Sequence, residues 1–73
     1  MRTDLEMQIE AQVSETIRAV RERKGLSQEM LADALGLHRV QVCNIENGKY
    51  GVGVGRLYSI ANALEVSVQE LLP

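Results

Sequence analysis

Residues 27–48 read SQEMLADALGLHRVQVCNIENG. This run predicts two short helices joined by a tight turn, the second closed by a glycine. Ser27 is a residue type that caps helix N-termini, because its side-chain oxygen accepts a free amide hydrogen of the first turn. Between Gln28 and Leu35, the apolar residues Leu31, Ala32 and Leu35 fall on one helical face. Gly36 stands where a helix needs a left-handed residue to stop. A second helix is predicted to start near Arg39, to turn Val42 and Ile45 inward, and to stop at Asn47-Gly48. A helix held rigidly and proud of the surface across so short a turn fits the major groove of DNA, which points to DNA binding without catalysis.

Working outward, the rest of the chain is also helical in pattern. Thr3 with Glu6 three residues later predicts a capping box, and Leu5, Ile9, Val13, Ile17 and Val20 follow at helical spacing. One long helix is expected over 3–24, ending at Gly25 after the basic turn Arg21, Arg23, Lys24; the alternative is a second start at Ser14, which would split the segment into an arm and a shorter helix. Residues 48–55, GKYGVGVG, read as a glycine-rich loop. From Arg56 a fourth helix carries Leu57, Ile60, Ala61 and Leu64 on one face and ends near Glu65. A last short helix, Ser67 to Leu72, carries a second capping-box pattern in Ser67 and Glu70. The expected fold is all-α, a compact five-helix bundle in a single domain over 1–73, with 1–13 as a helical extension.

Composition narrows the function. The chain has 73 residues, no Phe or Trp, and a single proline at its end, so aliphatic side chains must build the core. A domain of this size buries only roughly 60–65% of its unfolded surface, and a partner subunit is a natural source of added stability. The lone Cys43 excludes an intrachain disulfide and a Cys-rich zinc site, and the lone His38 leaves no metal cluster, so no metal or cofactor is expected. Five positions apart on one helix, His38 and Cys43 point about 140° away from each other and form no catalytic pair. The glycines of 48–55 lack the GxxxxGK[ST] pattern and follow no strand, which argues against a nucleotide loop. No apolar run approaches the ~20 residues of a membrane helix, and MRTDLEMQIE lacks a signal-peptide core. The expectation is a cytoplasmic chain with no membrane partner.

The net charge of −2 does not announce a nucleic-acid binder, but its distribution is informative. Residues 1–16 carry Arg2 against Asp4, Glu6, Glu10 and Glu15, a net −3. Residues 17–59 carry Arg18, Arg21, Arg23, Lys24, Arg39, Lys49 and Arg56 against Glu22, Glu29, Asp33 and Glu46, a net +3. Residues 60–73 add Glu65 and Glu70, a net −2. The basic excess falls on the two predicted short helices and their neighbours.

The pattern IRAVRERKGLSQEMLADALGL…V..IENGK…L..IANALEVSVQELL, over about residues 14–72, resembles the phage repressor/Cro (XRE) type of helix-turn-helix domain. Leu37-His38-Arg39 and the small size also resemble the controller proteins of restriction–modification systems, with phage repressors and antitoxins left open. The resemblance implies a lambda repressor-like bundle in a dimeric regulator of transcription. By position it implies a recognition helix over Arg39 to Asn47, with Arg39, Val40, Cys43 and Asn44 facing the bases. It implies phosphate contacts from Gln28 and Gln41, a bracing role for Gln28, and an Arg21–Glu46 pair tying the first helix to the third. The chemistry agrees: Arg39 suits guanine O6/N7, Asn44 suits adenine N6/N7, and Val40 suits a thymine methyl. The alternative is that Arg39 holds only phosphate and Asn44 faces water.

Lys49, Tyr50 and Arg56, with the amides of 51–55, are read as a backbone clamp. Leu5 and Ile9 either pack on their own domain or form a dimer contact, and Tyr58, Leu71 and Leu72 are further dimer candidates. The partners expected are double-stranded DNA and a second copy, on half-sites about 34 Å apart. A protein partner, a toxin or RNA polymerase, is the competing reading. Departures from the family pattern are Val52-Gly53 before the fourth helix, Glu65 in place of a glycine after it, and apolar Val40 and Cys43 on the reading face.

Overall fold

A computed structural model describes residues 1–73. It contains α1 (Asp4–Arg23), α2 (Gln28–Leu35), α3 (Arg39–Glu46), α4 (Val54–Leu64) and a terminal 3-10 turn (Val68–Leu71). The Thr3 hydroxyl and the Glu6 carboxylate cap one another's backbone at the start of α1, so the expected capping box is present. Ser27 caps α2 through Met30 N–H at 3.0 Å. Gly36 ends α2 in the left-handed region (φ 69°), where Leu37 N–H reaches back to Ala32 O at 2.9 Å.

Three local expectations need correction. The fifth element is a 3-10 turn rather than an α-helix, so the bundle has four α-helices. The Ser67–Glu70 capping box does not form, because Glu70 N–H is already bonded to Ser67 O at 3.1 Å across the tight turn. The fourth helix begins at Val54, two residues before Arg56. Gly53 takes the extended N-cap conformation, and its carbonyl accepts Leu57 N–H at 2.9 Å to close the first turn. Only residues 48–53 therefore form the loop. At the other end of α4, Glu65 adopts φ 58°, the geometry Gly36 adopts after α2. A non-glycine residue held there costs about 1–2 kcal/mol.

The core lies where the four helices meet the terminal turn. Ile17, Ile60 and Leu71 are completely buried, with Leu31, Val42 and Leu64 packed beside them. Leu71 is therefore an internal side chain, which corrects its reading as a dimer contact. The 3-10 turn folds back on α1 and α4 and points Leu71 inward, while Leu72 beside it stays exposed. The first turns of α1 run past the bundle: Val13 is buried, but Leu5, Met7 and Ile9 are exposed, so Leu5 and Ile9 do not pack on their own domain. Glu10, bonded to Arg2, lies against Gly51, where any Cβ would overlap its carboxylate. That close approach sets the loop beside α1, and a side chain at 51 would push the flexible end of Glu10 aside.

Candidate nucleic-acid interface

The interface is built on how α3 is anchored. Its inner row, Val42, Ile45 and Glu46, is buried, leaving Arg39, Val40 and Gln41 exposed on the opposite side. Cys43 and Asn44 lie half-buried at the edge of that outer face. The Cys43 sulfur accepts Asn47 Nδ2 at 3.4 Å, while the Asn44 side chain has no bond within the protein. His38 is the N-cap of α3, and its N–H donates to Gln41 Oε1 at 3.0 Å. Gln41 thus uses its carbonyl to close the helix start and keeps its amide hydrogens available.

Below the outer face of α3 is a buried charged cluster. Arg21 Nε donates to Glu46 Oε2 at 2.6 Å and its NH2 to Glu46 Oε1 at 3.0 Å, a two-pronged pair linking α1 to the end of α3. Arg21 NH1 also donates to Leu26 O at 2.7 Å. Burial alone would raise the Glu46 pKa. The hydrogen bonds from Arg21 and Gln28, with the charges of Arg21 and Arg18, outweigh it and hold the carboxyl below its ordinary value. The hydrogen bond to Glu46 likewise raises Arg21.

Gln28, the first residue of α2, turns its side chain toward α3. Its Nε2 donates to Glu46 Oε1 at 3.0 Å, and its Oε1 accepts Arg39 NH1 at 3.3 Å. A hydrogen-bonded chain therefore runs from Arg21 through Glu46 and Gln28 to Arg39. Two contacts in and around this chain were absent from the sequence reading. One is the Gln28–Arg39 bond. The other is Arg18, whose NH2 donates to Asn47 Oδ1 at 3.1 Å and whose Nε lies 3.6 Å from Glu46. The spacing of Arg18 and Arg21, one helical turn apart, was the available signal.

The remaining sites lie around this center. Lys49, Tyr50 and Arg56 are exposed, make no side-chain bond within the protein, and flank the free amides at the start of α4. Tyr58 and Leu72 are exposed, as are Leu5 and Ile9. No helix is long and apolar enough to cross a membrane.

Comparison with known proteins gives a consistent result. The helix-turn-helix pattern HTH_3 matches residues 17–71. The chain is 38% identical over 66 residues to control protein C.SmaI of Serratia marcescens, covering 90% of this chain and 79% of that one. Among solved structures it resembles the restriction-modification controller protein C.AhdI from Aeromonas hydrophila, with a TM-score of 0.87 and 33% identity, covering 96% of this chain and all of that one. It also resembles the S. venezulae BldD DNA-binding domain, with a TM-score of 0.80 and 34% identity, covering 90% of this chain and 99% of that one.

Proposed function

The chain belongs to the HTH_3 helix-turn-helix family of transcriptional regulators, and on that premise we propose that it is a sequence-specific double-stranded DNA-binding regulator acting as a homodimer on an inverted-repeat operator. The observation that carries this reading is the outer face of α3. Arg39, Val40 and Asn44 are presented by a helix pinned from behind by Val42, Ile45 and the Glu46 cluster. In this reading Arg39 takes a guanine edge, Asn44 an adenine edge and Val40 a thymine methyl, with Cys43 packing beside them. Gln28, Gln41, Lys49, Tyr50 and Arg56 hold the phosphates, and the free amides of α4 reinforce them. A second copy sets two such helices about 34 Å apart. The exposed apolar side chains of Leu5, Ile9, Tyr58 and Leu72 supply the surface for that contact.

Selection of randomised duplexes by the purified protein at about 100–150 mM salt tests the proposal, because at that salt the backbone attraction alone binds weakly. The expected product is a two-fold symmetric motif. Absence of enrichment from folded protein refutes the operator reading and turns the search to protein partners.

A further inference from the structure

The first turns of α1 reach beyond the bundle and lie beside the loop that precedes α4. Residues 1–16 carry a net −3, and Arg2 is the only basic side chain before Arg18. A carboxylate stands two residues from Arg2, on Asp4, yet Arg2 NH1 donates to Glu10 Oε1, two helical turns along α1. Glu10 in turn lies with its carboxylate over Gly51. Gly51 is two residues from Lys49 and two from Gly53, the N-cap of α4, so the pair brings a guanidinium to this loop. No amide from Tyr50 to Arg56 is bonded within the protein. The glycine N-cap also brings no side-chain oxygen of the kind that Thr3 and Ser27 supply to α1 and α2. The Arg2 side chain is 42% exposed, and of its five N–H donors it uses one on Glu10.

Resting on the reading of this loop as a phosphate clamp, we propose that Arg2 is a further phosphate contact of the clamp, and that Glu10 is the positioning residue that delivers it. A bare carboxylate over Gly51 would repel a phosphate held by Lys49, Tyr50 and Arg56. Arg2 cancels that charge and keeps donors free for a phosphate oxygen. An arginine already held by a carboxylate also loses less side-chain freedom on binding than a free one. Folding alone gives the pair little weight, because an exposed ion pair of this kind contributes almost nothing to stability. The contact is to the backbone, so it adds affinity without sequence preference. It also reconciles an acidic segment with a DNA-binding surface beside it: the single cation of the segment sits where the segment meets the clamp.

The test is binding of the full chain to a selected and a scrambled duplex across a salt series, for the parent and for Arg2→Gln. Arg2 is exposed and lies outside α1, so the variant keeps the fold, which circular dichroism verifies. Loss of one phosphate contact should lower the slope of log K against log salt by about 0.9 and weaken both duplexes alike, by about three- to tenfold near 100 mM salt. Neutral methylphosphonates placed singly along the selected duplex should reveal one position whose penalty in the parent disappears in Arg2→Gln, which separates a contact from a diffuse charge effect. In a Glu10→Ala background the effect of Arg2→Gln should fall by more than half, because the delivering carboxylate is gone. An unchanged salt slope, or no methylphosphonate position that loses its penalty, overturns the Arg2 contact. An undiminished Arg2→Gln effect without Glu10 overturns the delivery. Failure of the folded parent to bind any duplex refutes the DNA-binding reading and the Arg2 contact with it, whereas binding by the parent with no change in Arg2→Gln refutes the contact alone.

Discussion

Replacing Arg21 with methionine should remove a large share of the protein's stability at neutral pH, and the loss should shrink in acid. Arg21 is 7% exposed and Glu46 3%, so the pair lies out of water. Arg21→Met keeps the aliphatic stem but removes both bonds to the Glu46 carboxylate and leaves that charge with Gln28 and the more distant Arg18. An uncompensated buried charge of this kind costs about 3–5 kcal/mol. A natural domain has roughly 0.05–0.15 kcal/mol of stability per residue, or about 4–11 kcal/mol for a chain this long, so the loss takes a large share of the whole.

Protonation separates this from a simple packing defect. In the parent, Glu46 holds its proton less firmly when folded than when unfolded. The pair's contribution is therefore complete at pH values above the unfolded Glu pKa of about 4.3, and is lost as the pH falls through the lower folded value. Without Arg21, burial dominates and raises the Glu46 pKa, so acid neutralises the orphan and relieves the variant. Urea unfolding followed by circular dichroism at neutral pH and near pH 4 measures both effects. A loss below about 1 kcal/mol at neutral pH, or one that stays constant into acid, refutes the reasoning that burial magnifies this interaction.

Arg39→Ala should cost roughly 1–3 kcal/mol on the preferred DNA and relax the preference at one position, whereas Lys49→Ala should weaken all sequences alike; binding to selected and scrambled duplexes across a salt series distinguishes them. Glu65→Gly should stabilise the fold, because it relieves about 1–2 kcal/mol of left-handed strain and gives back part of that through a more flexible unfolded chain. A net gain of about 0.5–1 kcal/mol shifts the melting temperature up by a few degrees, about 4–8 °C per kcal/mol in a domain of this size, and no rise means the strain is absorbed elsewhere. Leu5→Glu with Ile9→Glu should leave the melting of dilute protein almost unchanged and shift sedimentation toward monomer, since both side chains are exposed in the single chain. An unchanged association constant moves the dimer contact to Tyr58 and Leu72.

Most of the fold was legible because it rests on short-range chemistry. Thr3, Ser27 and Gly36 act within their own helical turn, and their roles follow from neighbours three to five residues away. The misreadings occurred where local signals compete. Ser67-x-x-Glu70 carries a capping-box pattern, but the segment closes as a 3-10 turn, and its i→i+3 bond takes the amide that the cap needed. Gly53-Val54-Gly55 reads as loop by composition. Packing of Leu57, Ile60 and Leu64 against the core nevertheless extends the helix back through Gly55, because a glycine in the first turn costs only about 1 kcal/mol. Leu71 and Leu72 are indistinguishable by residue type, and only the direction of the last turn assigns one to the core and the other to solvent. The Glu46 cluster was half legible: Arg21 came from resemblance, while Arg18 and the Gln28–Arg39 link depend on distances between helices that no local pattern encodes.

That cluster also explains how a small domain can order Arg39, the residue proposed to read a base. Glu46 is an acceptor only, so the Gln28 amide must turn its NH2 toward it and its oxygen away. The oxygen then faces the start of α3 and receives Arg39 NH1. The orientation of Gln28 is thus set by a buried charge, and the rotamer of Arg39 by Gln28. Ordering a free arginine costs up to about 1.5–2 kcal/mol of side-chain entropy. Here part of that cost is met on folding, before any DNA arrives, and the guanidinium keeps N–H donors enough for a two-pronged contact. In the proposed reading, stability and recognition share one carboxylate. Any change that loosens Arg21 or Glu46 should therefore blunt sequence discrimination before it unfolds the chain, because the Arg39 bond, long and exposed at the end of the chain of contacts, is the first to be released.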